Sequence, residues 1–334
     1  METSVPVNQR KAKLNDGNEI PMIGLGTYLS APNEVTAAVV SGWKCGVRHF
    51  DCAQFYQNET EVGDALQILR AEPGYRREDI WLTSKAWNSH HHPENVFKAL
   101  DQTLKDLQTD YVDLYLIHWP VNFASVPDSK SATGIALEPS SSGDMLLDKG
   151  LSLVETWKAF IEIQKLGKAR SIGVSNFSPE HIQKLIDSTG VAPAVNQVEA
   201  HPLLSQEALL TYCNSKGIHI TAYMPYGGDA SRGAARVLGN PVVDRIARES
   251  GREAGQVLVS WGRGFSVLPK SVKPARIESN FQAFDLADDD YHALTNLGKT
   301  PVRFGGVPFT FNPAWMVNVF NTPEERAAGL HEPF

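Results

Sequence analysis

The sequence predicts an α/β protein folded as a (β/α)8 TIM barrel, with an N-terminal β-hairpin and a long C-terminal loop. Short apolar, β-rich segments alternate with longer segments of helical spacing along most of the chain. We count eight such strands, which favours a closed parallel barrel over an open sheet. The chain also has 334 residues, of which 42% are hydrophobic, enough for one large barrel core.

The predicted strands are the short apolar segments of this alternation. The one at 111–117 is almost continuously apolar, as expected for a parallel strand buried on both faces. In chain order the strands are 22–24, 49–52, 80–86, 111–117, 169–174, 194–198, 218–224 and 266–269.

The predicted helices follow these strands and carry apolar residues at helical spacing. One is indicated by its ends, because Ser178 suits the N-cap, Pro179 the first helical position and Gly190 the exit. The other predicted helices are 34–45, 59–70, 92–107, 153–166, 205–216, 242–250, 254–262 and 274–283.

Three segments lie outside the alternation. The turn signal Asn15-Asp16-Gly17-Asn18 predicts a hairpin within 11–20. Residues 121–150 form a long segment rich in Ser, Pro and Gly, and such loops are usually functional or disordered. Residues 299–334 are rich in Pro and aromatic residues. We therefore predict a single domain over 1–334, with a core at about 12–298 and a C-terminal tail at 299–334.

Charge and cysteine content limit the partners and the compartment. The net charge of −7 argues against non-specific binding to nucleic acid or anionic membranes. Three widely spaced cysteines fit a reducing compartment better than a disulfide framework. The first 16 residues lack a signal-peptide core, and no apolar stretch approaches the length of a membrane span. We expect a cytoplasmic protein, a monomer or weak dimer, without membrane or nucleic-acid partners.

Three consecutive predicted strands end in ionisable residues. Asp51 ends the second strand, Lys85 the third and His118 the fourth, and Tyr56 follows five residues after Asp51. The carboxyl ends of barrel strands lie on one face, and neighbouring strands are about 4.8 Å apart, so these side chains can converge. Taken singly, each has an ordinary structural alternative as a cap, a solvated charge or a packing residue.

Together these groups suit proton transfer to a carbonyl oxygen. A free Tyr is a poor acid or base at neutral pH, because its pKa is about 10. We expect the ammonium of Lys85 to lower the pKa of Tyr56, with Asp51 holding Lys85 in place. His118 can hydrogen-bond and orient the carbonyl oxygen, and Tyr56 can then protonate it as hydride reaches the carbon.

Six ordered motifs extend this pattern over about residues 12–284. They are DCAQFYQNETEVG at 51–63, TSKAWNSHHHPENV at 83–96, DLYLIHWP at 113–120, GVSNF at 173–177, NQVEAHP at 196–202 and PKSVKPARI at 269–277. Together they resemble the aldo-keto reductase superfamily, more its fungal and plant branch than its steroid branch. The resemblance implies that Asp51, Tyr56, Lys85 and His118 are catalytic. Relatives that reduce a steroid C=C bond carry Glu at the position of His118, so the His favours carbonyl chemistry.

The resemblance also implies a nicotinamide cofactor site. GLGTYL at 24–29 lacks the third glycine of a Rossmann fingerprint. Ser175, Asn176 and Gln197 resemble residues that bind the carboxamide, and Tyr223 resembles the residue that stacks on the ring. The wider set implied for the cofactor is Gly26, Thr27, Tyr28, Asp51, Met224, Tyr226, Lys270, Ser271, Val272, Arg276, Ser279 and Asn280.

The segment 270–276 predicts the form of the cofactor. Lys270, Ser271 and Arg276 provide two cations and a hydroxyl, which suit the additional phosphate of NADP(H), whereas an NAD site favours an acidic residue. Ser279 stands where many relatives carry Glu, and Met224 where many carry Ser, so contacts at those two positions stay open. We expect the loop 227–241 to fold over the pyrophosphate.

By resemblance, Tyr28, Trp87 and Trp119 wall the substrate pocket, and the loop at 121–150 and the tail at 299–334 complete it. The identity of the small-molecule carbonyl or alcohol substrate is left open. One alternative is a nucleotide-sensing channel β-subunit with residual reductase activity, and another is a crystallin-like structural role. The three histidines at 90–92 resemble a helix start of the family and not a ligand set, so no metal is expected.

Overall fold

The computed structural model of the protein describes residues 5–124, 143–228 and 237–334. Within these ranges eight parallel strands form a barrel in which each strand is hydrogen-bonded to the next along the chain. These strands are β3 (Leu25–Gly26), β4 (His49–Asp51), β5 (Trp81–Ala86), β6 (Val112–Ile117), β7 (Ala169–Ser175), β8 (Val195–Glu199), β9 (His219–Tyr223) and β10 (Phe265–Leu268).

Backbone hydrogen bonds between the first and last barrel strands close the barrel. The N–H of Gly24 donates to the carbonyl of Val267 over 2.9 Å, and that of Gly26 to Pro269 over 3.0 Å. The predicted (β/α)8 TIM barrel is therefore confirmed. The first strand lies slightly later than the predicted 22–24, although Ile23 also forms a parallel bridge with Val267. The single-domain assignment stays a prediction.

Helices surround the described barrel strands. They are α1 (Val35–Lys44), α2 (Glu59–Arg70), α3 (Pro93–Asp106), α4 (Leu153–Lys165), α5 (Pro179–Thr189), α6 (Glu207–Ser215), α7 (Pro241–Ser250), α8 (Ala254–Ser260), α9 (Pro274–Phe281), α10 (Asp288–Thr295) and α11 (Pro323–Ala327). The helices α10 and α11 were not predicted, because three successive aspartates obscure the apolar spacing of α10 and α11 has only five residues. None of the described helices is long and apolar enough to cross a membrane.

The bounds of α5 confirm the capping signals in the sequence. The Ser178 hydroxyl accepts a hydrogen bond from the His181 N–H, and Pro179 occupies the first helical position. Gly190 ends the helix with φ of 73°, in the left-handed region that favours glycine. Likewise, all residues of β6 are buried, as its continuous apolar pattern indicated.

The N-terminal hairpin closes one end of the barrel. Its strands β1 (Lys11–Lys13) and β2 (Glu19–Pro21) pair antiparallel, which confirms the predicted hairpin. Leu14 and Ile20 pack inside the barrel against Trp81 and Val195, which are the first residues of β5 and β8. The opposite end, where the strands finish, is left for a functional site.

The tail crosses that opposite end and is fixed on both sides of it. Near its start, the N–H of Val302 donates to the carbonyl of Leu203, and near its end Leu153 donates to Pro333. Inside the tail, the carboxylate of Glu325 accepts the N–H groups of residues 319, 320 and 322. Of the predicted loop at 121–150, residues 125–142 lie outside the described residues.

Candidate active site

The buried ammonium of Lys85 joins three groups at the ends of β4 and β5. Its Nζ lies 2.7 Å from Oδ2 of Asp51, 2.8 Å from the carbonyl oxygen of Cys52 and 3.1 Å from the hydroxyl oxygen of Tyr56. The Lys85 side chain is 0% exposed, so the ion pair with Asp51 is shielded from solvent. The two residues come together because β4 and β5 are adjacent parallel strands.

Tyr56 is placed by a short 3-10 turn that follows β4. This turn, Gln54–Tyr56, ends at Gln57 with φ of 55°. Burial raises the pKa of Tyr56 well above its ordinary value, and the negative charge of Asp51 raises it further. The net pKa of Tyr56 is thus opposite to the lowering expected from Lys85, because burial of the phenol dominates. Tyr56 is a neutral phenol that retains its proton.

His118 follows β6 and presents its ring to Tyr56. The ring centroids are 5.9 Å apart at 77°, and the backbone N–H of His118 donates to Ala86 on the neighbouring strand. Burial, with the positive charge of Lys85, lowers the pKa of His118 well below its usual 6.5. His118 is consequently a neutral imidazole, able to donate one hydrogen bond and accept another.

A hydrogen-bonded network supports Asp51 from the neighbouring side of the barrel. Gln197 donates to Oδ1 of Asp51 over 2.8 Å, and the Ser175 hydroxyl donates to the backbone carbonyl of Gln197 over 2.8 Å. The hydroxyl of Tyr223 donates to Oδ1 of Asn176 over 2.7 Å. Four of the predicted nicotinamide-site residues thus hold one another in place around Asp51.

A second group of predicted cofactor residues lies where β3 meets β10. Gly26 forms a parallel bridge with Lys270, and the Thr27 hydroxyl donates to the carbonyl of Asp51. Lys270 is half-buried, and its Nζ donates to the carbonyl of Leu29 over 2.9 Å. The Ser271 hydroxyl accepts the N–H of Lys273, directly before α9.

Further along α9, Arg276 is exposed and Ser279 is half-buried, while Asn280 is buried. Burial raises the pKa of Tyr226, and the positive charge of Arg276 acts in the opposite direction. The Tyr226 hydroxyl is buried without a partner in the part of the chain that the structure describes. Val272 packs on the apolar core, and so does Met224, which has φ of 52°. Of the predicted loop at 227–241, residues 229–236 lie outside the described ranges.

The rings of Phe55, Tyr56 and Trp87 contact His118, and further aromatic side chains pack around this group. Tyr28 is 44% exposed, and its ring lies 4.9 Å from that of Tyr56. Trp87 is almost fully buried, because the ring of Phe55 stacks on it at 3.9 Å. Trp119 meets Trp315 of the tail edge-on at 5.5 Å. Of the predicted pocket walls, Tyr28 and Trp119 reach solvent, whereas Trp87 lies behind Phe55.

Sequence reasoning missed Phe55 and did not single out Trp315 from the other tail aromatics. Phe55 directly precedes Tyr56, so its position in the strand-end motif was an available signal. The contacts of Trp315 depend on the path of the tail, for which the sequence gives no periodic pattern. No group of three or more His, Cys, Asp and Glu side chains suited to a metal ion occurs among the described residues.

Comparison with known proteins identifies the family. The model of the aldo/keto reductase family matches residues 22–299. The chain belongs to this family. The expected family is thereby confirmed, and so is the expectation that the protein is an oxidoreductase of the aldo-keto reductase class.

Several proteins named as reductases or dehydrogenases are similar over most of the chain. A D/L-glyceraldehyde reductase of Hypocrea jecorina is 46% identical over 330 residues, covering 96% of each chain. A glycerol 2-dehydrogenase (NADP(+)) of Saccharomyces cerevisiae is 41% identical and covers 86% of this chain and 90% of its own. The solved structure of an aldose reductase from Schistosoma japonicum has a TM-score of 0.83 and 36% identity, covering 95% of this aldo/keto reductase and 100% of that chain.

Proposed function

We propose that this aldo/keto reductase reduces an aldehyde or ketone to an alcohol with NADP(H), in a reversible hydride transfer. The observation that carries the proposal is the buried ammonium of Lys85, which donates both to the carboxylate of Asp51 and to the hydroxyl oxygen of Tyr56. Such a group stabilises negative charge on the phenol oxygen as its proton leaves. Asp51 compensates the ammonium, and it holds Lys85 in position.

In this proposal Tyr56 is the general acid. Because Lys85 donates to its oxygen, the hydrogen of the phenol is not used in that bond and can be given to a carbonyl oxygen. The raised pKa of Tyr56 keeps this proton in place at neutral pH, which favours the reductive direction. A bound reduced nicotinamide would supply the hydride to the carbonyl carbon.

His118 is proposed to orient the carbonyl. A neutral imidazole beside the Tyr56 ring can donate one hydrogen bond to the carbonyl oxygen without carrying a charge that competes with Lys85. Two donors would then meet at one oxygen, as expected for a site that stabilises a developing alkoxide. The rings of Phe55, Tyr56 and Trp87 leave His118 only 8% exposed, which limits the access of water to that position.

The residues present fit an NADP(H) molecule. Lys270, Ser271 and Arg276 provide two cations and a hydroxyl near the start of α9, and a helix N-terminus favours anions. The buried hydroxyl of Tyr226 offers a further donor, since it has no partner among the described residues. Ser175, Asn176 and Gln197 would hold the carboxamide, and Tyr223 would lie against the nicotinamide ring.

We infer that the substrate is a short, polar carbonyl compound. The two relatives named above are a glyceraldehyde reductase and a glycerol dehydrogenase, which supports substrates of about three carbons. The close packing of Trp315 against Trp119 supports the same size limit. A cytoplasmic location and a monomeric or weakly dimeric state remain part of this proposal, whereas the channel-subunit alternative is not favoured by relatives named as reductases.

The test is NADPH oxidation measured with glyceraldehyde, dihydroxyacetone and a longer aldehyde, with Tyr56→Phe beside the wild type. We expect wild-type turnover with the short carbonyls and a loss of about 100-fold or more in kcat for the variant. NADPH binding, followed by quenching of tryptophan fluorescence, should be retained. A variant as active as the wild type would contradict the role given to Tyr56.

A further inference from the structure

The carboxylate of Glu199 lies outside the predicted site but is fully buried at the same end of the barrel. Glu199 is the last residue of β8 and pairs in register with Tyr223 of β9. A buried carboxylate is costly unless hydrogen-bond donors surround it. The identity of its donors therefore indicates what the residue does.

Two of its three donors belong to the C-terminal tail and tie it to the barrel. Oε1 of Glu199 accepts from Nε2 of His201 over 2.9 Å and from the N–H of Phe304 over 2.6 Å, and Oε2 accepts from the N–H of Gly305 over 2.8 Å. We call these four residues the tail clasp. Hydrogen bonds to a carboxylate are stronger than bonds between neutral groups, so the clasp is a strong local attachment.

The close packing around Phe304 and Gly305 leaves no room for additional side-chain atoms. A Cβ atom on Gly305 would lie 2.7 Å from Oε2 of Glu199, so a side chain here would displace the carboxylate. The Phe304 ring contacts that of His201 at 5.2 Å and covers Gly228, where a Cβ atom would lie 2.8 Å from the Phe304 ring. Both glycines allow a close approach that another residue would prevent.

From the clasp, a chain of ring contacts leads to the candidate active site. A Cβ atom on Gly306 would lie 2.7 Å from the ring of Phe311, so this ring covers the residue next to the clasp. The Phe311 ring meets that of Trp315 at 5.2 Å, and Trp315 meets Trp119 at 5.5 Å. Trp315 also meets Trp87 at 6.0 Å, and Trp87 lies 5.3 Å from the ring of His118.

We propose that Glu199 is a positioning residue that holds the tail over the carbonyl site and thereby fixes Trp315 against Trp119 and Trp87. The proposal rests on the proposed function, because it assigns the tail to the substrate side of a carbonyl reductase. Glu199 contacts no reacting group. Its effect is on the binding of the carbonyl compound, and the residues proposed to bind phosphate, Lys270, Ser271 and Arg276, lie outside the clasp.

Two variants disturb the clasp in different ways. Glu199→Gln keeps the shape of the side chain, but its amide NH2 cannot accept the backbone N–H that one carboxylate oxygen now accepts. Gly305→Ala keeps the carboxylate and inserts a methyl group against Oε2. Glu207→Gln, at an exposed position of α6, is the matched control. The double variant tests whether both changes act through one clasp.

The readouts are KM and kcat for glyceraldehyde, the Kd of NADPH, and backbone hydrogen exchange of residues 302–320. We expect both variants to raise KM roughly ten-fold, the effect of losing one charge-assisted hydrogen bond, with kcat and the NADPH Kd changed less than about three-fold. Exchange should accelerate in the tail only. The double variant should be no more impaired than the more affected single variant.

Unchanged KM in both variants despite faster tail exchange would overturn the proposal, and so would KM effects that add in the double variant. If Glu199→Gln fails to fold, the same measurements on Gly305→Ala test the proposal. If the wild type reduces no carbonyl compound, the proposed function fails. The exchange measurement then still reports whether Glu199 holds the tail, so the two failures are distinguishable.

Discussion

Lys85 donates a hydrogen bond to the hydroxyl oxygen of Tyr56 over 3.1 Å while its ammonium is paired with Asp51 at 2.7 Å. The direction of this bond leaves the phenol hydrogen free for another acceptor. The ammonium therefore stabilises negative charge on the oxygen during proton transfer without removing the proton beforehand. Burial and Asp51 keep Tyr56 neutral in the meantime.

This arrangement predicts the titration of Tyr56. Because its pKa is raised above the ordinary value of about 10, no phenolate should form at this residue below about pH 10. The measurement is an ultraviolet difference titration of the cofactor-free wild type against Tyr56→Phe, which removes the signal of the other tyrosines. Tyr111→Phe, at a partly exposed position, serves as the control substitution. A Tyr56 signal near neutral pH would show that the ammonium of Lys85 dominates instead.

Lys270 is predicted to select the phosphorylated cofactor. Its side chain is half-buried beside Gly26, so a phosphate there would meet a partly desolvated cation. We expect Lys270→Met to weaken NADPH binding by about ten-fold or more and NADH binding by less than about two-fold. The two Kd values are measured by fluorescence quenching, with Lys165→Met on the exposed face of α4 as control. Equal weakening of both cofactors would rule out selection by this residue.

Trp315 is predicted to limit the size of the substrate. It meets Trp119, Trp87 and Phe123 edge-on, so removal of its ring would open space beside Trp119 and Trp87. We expect Trp315→Ala to raise kcat/KM for a bulky aromatic aldehyde relative to glyceraldehyde by about ten-fold. Phe309→Ala, elsewhere in the tail, is the comparison variant. A uniform loss with all aldehydes would indicate general damage to the tail.

The carboxyl ends of barrel strands lie on one face, and this was sufficient to predict which residues of the site come together. Asp51, Lys85 and His118 end consecutive strands of a parallel barrel, so their convergence follows from topology alone. The pKa of Tyr56 could not be predicted in the same way, because it depends on how completely neighbouring rings bury the phenol. A nearby ammonium was visible in the sequence, whereas the extent of burial was not.

Contacts between segments that are distant in the chain also could not be predicted from the sequence. Glu199 binds backbone N–H groups about a hundred positions later, and no periodicity connects β8 to an irregular tail. The stacking of Phe55 on Trp87 likewise depends on a short turn whose path is set by tertiary packing. Prediction therefore succeeded where regular elements fix side-chain direction, and it failed where irregular segments meet.

Glu59 provides a prediction about stability and pH. It begins α2 and is only 4% exposed, and its carboxylate accepts hydrogen bonds from the hydroxyls of Ser84 at 2.5 Å and Thr103 at 2.9 Å. Burial raises the pKa of Glu59 from 4.5 to about 7, even though these two hydrogen bonds act in the opposite direction. Glu59 therefore links α2 to β5 and α3 through a carboxyl group that binds its proton more tightly in the folded protein.

The sign of the effect follows from this raised pKa. Below about pH 4.5 the group is protonated in both folded and unfolded chains and contributes its full stability, which is lost as the pH rises through about 7. Glu59→Gln stays neutral, so the wild type should lose roughly 2–3 kcal/mol relative to this variant between about pH 5 and pH 8. Urea unfolding at several pH values measures the difference, with Glu94→Gln at an exposed position of α3 as control. A constant difference across this range would mean that Glu59 is ionised in the folded protein throughout, and that its two hydroxyl donors outweigh the cost of burial.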